Sequence, residues 1–240
     1  MKSESIFNVI FKYADDTNLL VPQHTDIQFM DDFNAIQMWA TKNKMIINIA
    51  KTKEIVFHRP NPRLHIDITP VHGIEQVKEA KLLGVIFNDN LRFDSHINCI
   101  LKQCSQRSFL MRQLRSQGLS RQQLSIVFEA IILSRLRYAL PAWAGYLTKE
   151  LVGRIDAFLR RMFVFGYCSQ LYSVLELIAK CDETLFHTVS QPSHCLYQLL
   201  PPIKDMSKPL RLRGHNFVLP SCNFEFYKSS FINRCLFKYV

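Results

Sequence analysis

The chain reads as an α+β protein, with a strand-and-turn region over residues 6–90 and a helical region after it. Three observations predict this. Two short apolar runs, residues 6–11 and 19–21, flank a polar turn in the manner of a β-hairpin. From Phe93 onward, apolar residues recur at three- and four-residue intervals, the period of an amphipathic helix. Charge divides the same way: residues 1–40 are net acidic, whereas residues 101–161 carry eleven Lys and Arg against Glu129, Glu150 and Asp156.

The 240 residues carry a formal charge of +10, and 48% hydrophobic with 21% charged content is ordinary for a folded domain. No apolar run approaches the roughly 20 residues that span a bilayer, and the first five residues do not open a signal peptide. An intracellular protein without a membrane partner is therefore expected. Seven cysteines, an odd number without a C-x-x-C pair, read as free thiols.

Taken in order, residues 24–43 read as a helix. Thr25 and Gln28 have capping-box spacing, and Ile27, Met30, Phe33, Ile36 and Ala40 form its apolar stripe. Residues 45–49 and 53–57 read as short strands joined through Asn48-Ile49-Ala50-Lys51. Arg59-Pro60-Asn61-Pro62-Arg63 is a loop, because each proline removes a donor and restricts its predecessor. Residues 65–68 alternate as a strand, with 77–87 as its partner, and Asn88-Asp89-Asn90 turns the chain.

The first long helix carries Phe93, Ile97, Ile100, Leu101, Cys104, Met111 and Leu114 on one face and ends at Gly118. Ser120 and Gln123 box the start of a second, whose face is Leu124, Val127, Phe128, Ile131, Ile132 and Tyr138 and which Pro141 is expected to stop. Thr148 caps a third, with Leu151, Ile155, Phe158, Leu159 and Met162 inward. Separate shorter helices are expected at 172–180 and 183–189. Past Pro201-Pro202 the chain looks irregular, with a basic turn at 210–215.

Adjacent carboxylates at Asp15 and Asp16 are the chemically pointed feature. Mg²⁺ prefers carboxylate oxygens, usually one or two per ion with phosphate and water completing the shell. Side chains alternate along a strand, so only one of the pair faces a given site squarely. An acidic turn in solvent is the alternative. The eleven-cation segment suits a phosphate backbone, with a solvated basic surface as its alternative. Cys181, His187, His194 and Cys195 have a spacing that fits no standard zinc pattern, and no zinc is expected there.

Tyr13-Ala14-Asp15-Asp16 resembles the catalytic hairpin of reverse transcriptases, in the form typical of non-LTR, LINE-type (jockey-like) retrotransposons. Two further blocks follow in that family's order. Asn48-Ile49-Ala50-Lys51-Thr52 is similar to the segment that closes the palm, and Lys81-Leu82-Leu83-Gly84-Val85 to the primer-grip hairpin. The resemblance implies a partial polymerase palm over 1–92, a basic helical thumb-like region over 93–167, and a C-terminal helical or irregular region over 168–240.

It implies RNA-directed DNA synthesis by two-metal nucleotidyl transfer in the intact protein. Asp15 and Asp16 would be the catalytic Mg²⁺ ligands and Lys51 a nucleotide phosphate contact. Leu83 and Gly84 would form the primer grip. Lys102, Arg107, Arg112, Arg115, Arg121, Arg135, Arg137, Arg154, Arg160 and Arg161 would face the backbone of an RNA template with its DNA primer, or of an RNA–DNA duplex.

The family takes a further metal-binding Asp from a strand well before the hairpin, and few residues precede the hairpin here. Polymerisation by this chain alone is therefore not expected. A non-catalytic basic nucleic-acid-binding module, or a pseudogene product, is the alternative function.

Overall fold

The computed structural model describes residues 3, 5–58, 70, 71, 73–204 and 214–239. The expected loop at 59–63, the strand at 65–68 and most of the basic turn at 210–215 lie outside those residues. Helix accounts for about 52% of the chain and strand for about 11%, in small sheets, so the class is α+β. The chain divides into two compact units, Met1–Ala80 and Lys81–Val240.

In the first unit, β1 (Val9–Tyr13) and β2 (Asp16–Leu20) pair antiparallel, from Val9↔Leu20 to Tyr13↔Asp16. The turn is therefore Ala14-Asp15. Thr17 and Asn18, read as turn-favouring neighbours, are instead ladder residues opposite Lys12 and Phe11. Phe11, Tyr13 and Leu20 are exposed, as is Ile6 ahead of the strand, so the hairpin buries little apolar surface.

Helix α1 (Phe29–Lys42) begins five residues later than expected, and Gln28 at its N-cap makes no side-chain cap. The reason is competition from distant partners. Thr25 donates instead to Asn8 Oδ1 at 2.7 Å, and Ser5 donates to Asp26. That hydroxyl holds the Asp26 carboxyl below its ordinary value. Ser3 and Asn8 donate to the buried Asp32 at 2.6 and 2.8 Å. The N-terminal segment is thus stitched to α1 by polar groups.

Beyond α1, Asn48 accepts from Lys51 N and bends residues Ile49–Lys51 into a single 3₁₀ turn, where a strand was expected. Only β3 (Lys53–Glu54) remains extended, parallel to β4 (Glu75–Gln76).

The second unit is built around α2 (Asp94–Ser116). The division between the units falls inside β5 (Glu79–Leu82), which pairs with β6 (Val85–Asn88) across Leu83-Gly84, and β6 packs on α2. Helix α3 (Arg121–Phe128) starts with the Ser120–Gln123 capping box, both halves formed. It continues through a π-helical turn, Glu129–Leu133, into α4 (Ser134–Arg137).

Pro141 does not stop a helix. The chain has already turned at Ala139, where φ is 50°, and Pro141 sits in the first turn of α5 (Leu140–Trp143), where its missing N–H costs nothing. Helix α6 (Lys149–Val164) is capped by Thr148 and buries the five apolar residues expected. Asp156 on α6 accepts from Val174 N at 2.7 Å and so caps α7 (Val174–Val189), one continuous helix where two were expected.

Phe93, Ile97, Phe128, Ile132, Leu136, Trp143, Ile155 and Leu159 are the centre of the core. Burying each such side chain is worth about 1.5–3 kcal/mol relative to leaving it exposed. The C-terminal part is more regular than expected: α8 (Glu225–Lys228) and α9 (Phe231–Lys238) form, and Cys235 and Leu236 join Phe186 and Phe217 in a smaller cluster. Arg234 on α9 forms a bidentate pair with Asp182 on α7, both bonds 2.9 Å, and also donates to Ser229 O and Pro141 O. Gly145 lies beneath this group; a Cβ there would overlap the Ser229 carbonyl and the Arg234 guanidinium.

Candidate nucleic-acid interface

The β1–β2 hairpin brings Asp15 and Asp16 together, one in the turn and one in the first ladder pair, both exposed to solvent. Ala14 reaches this turn with φ at 53°, a left-handed conformation that costs an L-residue roughly 1–2 kcal/mol. Two exposed carboxylates at this spacing can offer oxygens to one hydrated Mg²⁺. Among the described residues, no group of three or more His, Cys, Asp or Glu gathers where it could hold a metal ion. Lys51 stands on a different element, exposed in the 3₁₀ turn that Asn48 caps.

Leu83 and Gly84 form the turn of the β5–β6 hairpin, with φ of 46° and 86°. Positive φ at both central residues is the pattern of a type I′ turn, natural for Gly and strained for Leu. The close approach that Gly84 permits is to a side chain of this same unit. A Cβ at Gly84 would lie 3.2 Å from the Tyr138 ring, whose hydroxyl donates to Leu83 O at 2.7 Å.

The ten predicted backbone contacts are carried by α2 (Lys102, Arg107, Arg112, Arg115), α3 (Arg121), α4 (Arg135, Arg137) and α6 (Arg154, Arg160, Arg161). Eight are exposed, and Arg107 and Arg137 are half-buried. Among the described residues of this unit, the ion pairs are Arg92–Asp94 and Arg234–Asp182, and neither takes one of the ten. Nearby acids are occupied by neutral donors: Glu129 accepts from the Tyr172 hydroxyl at 2.6 Å, and Asp156 caps α7. Several arginines are nonetheless held in place. Arg115 donates to Phe165 O at 2.8 Å and lies over the Tyr167 ring, and Arg161 lies over Phe158.

Two grooves flank α2. One, of about 510 Å³, is lined by Arg107, Leu110, Ala130, Ile131, Ser134, Arg135 and Tyr138. The other, about 250 Å³, lies toward α6 and contains Arg154 and Arg161 with Leu101, Ser105, Ala157 and Phe158. Arg107 is tied to the first groove by a bond to Ile131 O, a carbonyl of the π-helical turn. Reading the sequence placed Tyr138 on the buried face, but it is 52% exposed. The available signal was the interleaved string Arg135-Leu136-Arg137-Tyr138, which sets cations beside an aromatic ring.

The cysteines are free, and burial pushes the thiols of Cys104 and Cys168 up to about 11 and that of Cys235 up to about 12. Such thiols stay protonated at neutral pH and are poor nucleophiles and poor metal ligands. Cys181, also raised by burial, sits on α7 with His187, whereas His194 and Cys195 follow that helix. No helix among the described residues is long and apolar enough to cross a membrane. Comparison of the chain with protein-family models, with curated proteins and with solved structures finds no match.

Proposed function

We propose that this chain is the palm end and thumb-like region of a reverse transcriptase of the non-LTR retrotransposon type, and that by itself it holds nucleic acid without extending it. The observation that carries the reading is the tip of the first hairpin. Tyr13-Ala14-Asp15-Asp16 closes two antiparallel strands, with both carboxylates exposed. In an intact polymerase, Asp15 and Asp16 would hold Mg²⁺, which supplies charge neutralisation for phosphoryl transfer. Two-metal chemistry needs further carboxylates, and among the described residues none joins these two. Exposed Phe11 and Tyr13 leave the hairpin with apolar surface suited to packing against further palm structure.

A second reading, a basic nucleic-acid-binding module without catalysis, is favoured by the ten cations that lack carboxylate partners. Counterion release would make its affinity fall steeply with salt, with little dependence on sequence.

The test is binding of a fluorescent RNA–DNA duplex across a salt series, together with primer extension in Mg²⁺. Steep weakening with salt and no detectable extension are expected. A flat salt dependence would remove the nucleic-acid role altogether. Extension that Asp15→Ala abolishes would show that the chain carries a complete polymerase site.

A further inference from the structure

Taking the nucleic-acid reading as its starting point, we infer that the groove between α2 and the π-bulged helix is a pocket for one unstacked nucleotide of a single strand. Its phosphate would lie on Arg107 and Arg135 and its base on Tyr138.

Shape is the first argument. At about 510 Å³ the groove falls within the size range of small-ligand sites, large enough for a nucleotide. A phosphate running over a flat basic surface needs no such recess.

Chemistry is the second. Two guanidinium groups line the groove with the Ser134 hydroxyl, and no carboxylate is among its lining residues. Leu110 and Ile131 supply an apolar wall. Cationic and hydroxyl groups beside an apolar wall match a phosphate linked to a base. Arg107 is pre-set, because one of its nitrogens is bonded to Ile131 O and the others remain to donate.

Rigidity of the ring is the third. The Tyr138 hydroxyl is tied to Leu83 O, its edge lies against Gly84, and 52% of the residue remains exposed. A ring already held in place loses little conformational freedom when a base stacks on it, and stacking tolerates any base because every base has a π-face. The strained turn at Leu83-Gly84 therefore acts on the nucleotide through Tyr138, as a positioning element.

The test uses the full chain and a short fluorescein-labelled oligo(dT), with an RNA–DNA duplex in parallel. Tyr138→Ala is expected to weaken oligo(dT) binding by about tenfold while changing duplex binding little. Tyr138→Trp is expected to retain binding, and its added fluorescence should be quenched by the strand. Thermal melting of each variant separates lost stacking from lost folding. An unchanged oligo(dT) affinity in Tyr138→Ala, with Arg135→Ala weakening strand and duplex alike, would overturn the pocket and leave the basic surface standing. Displacement of the strand by thymidine monophosphate at equal affinity would assign the pocket to free nucleotides instead. If the unaltered chain binds neither strand nor duplex at low salt, the pocket and the nucleic-acid reading fall together.

Discussion

The Tyr138 hydroxyl donates to the carbonyl of Leu83 across 55 residues of sequence, joining the end of α4 to the β5–β6 turn. It does so at a point where the backbone is strained, since Leu83 has φ of 46°. A left-handed Leu persists only where its surroundings hold it.

Two substitutions test that coupling. Tyr138→Phe removes one hydrogen bond and is expected to lower stability by about 0.5–1.5 kcal/mol. Gly84→Ala adds a Cβ at φ of 86°, 3.2 Å from the Tyr138 ring, and is expected to cost more than 1 kcal/mol. Leu83→Gly relieves the strain and should be neutral or stabilising. Urea midpoints at constant slope report all three, and an unaffected Gly84→Ala would contradict the described turn.

The Arg234–Asp182 pair predicts a larger effect. The Asp182 side chain is 2% exposed and that of Arg234 19%, so removing either leaves a desolvated charge. Asp182→Ala should cost about 3–5 kcal/mol. Replacing both with Leu and Met should cost markedly less than the sum of the single changes. A double-mutant cycle in urea decides between coupling and additivity.

His96 gives the second unit a dependence on pH. It is buried between the rings of Phe93 and Trp143, its Nδ1 accepts from Ile86 N at 3.3 Å, and burial depresses its pKa to about 4. The folded state therefore favours the neutral ring. Its stabilising contribution is fully present above the ordinary value of 6.5 and is lost as pH falls from there through about 4. At about 1.4 kcal/mol per unit, the loss is on the order of 3 kcal/mol. His96→Asn keeps an acceptor near Nδ1 without a titrating ring, and should flatten the stability profile between those two values. Profiles of equal slope would refute the assignment.

The hairpin carboxylates should separate binding from folding. Asp15→Asn and Asp16→Asn lie on an exposed turn and should change stability by no more than about 0.5 kcal/mol. Each is expected to weaken Mn²⁺-induced broadening of the Tyr13 and Asp16 amide signals. Broadening that survives the double change would place the cation elsewhere.

What the sequence revealed depended on the range of the interaction. The caps at Ser120 and Thr148 were legible because donor and acceptor lie three residues apart. The cap at Thr25 did not form because Asn8, 17 residues away, takes its hydroxyl. Helix α7 looked divided near Asp182, whose partner Arg234 lies 52 residues on. Tyr138 was misplaced for a different reason. Leu124, Phe128, Ile132 and Leu136 are buried at uniform steps of four, wider than the α-helical period, and the π turn absorbs the excess. Extrapolating the 3.6 period through that turn puts Tyr138 on the wrong face. Of the candidate site, the adjacent carboxylates and the cations were readable as composition and motif, whereas the groove was not, because its walls come from separate helices.

The π-helical turn also makes this helix sensitive to length. Loss of one residue between Glu129 and Leu133 would let the segment relax to an ordinary α-helix. Everything after it on the helix would then swivel by about 100°. Arg135 and Tyr138 would leave the groove together, though neither codon had changed. A short in-frame deletion, normally judged by the residue it removes, would act here as a rotation of residues it never touches.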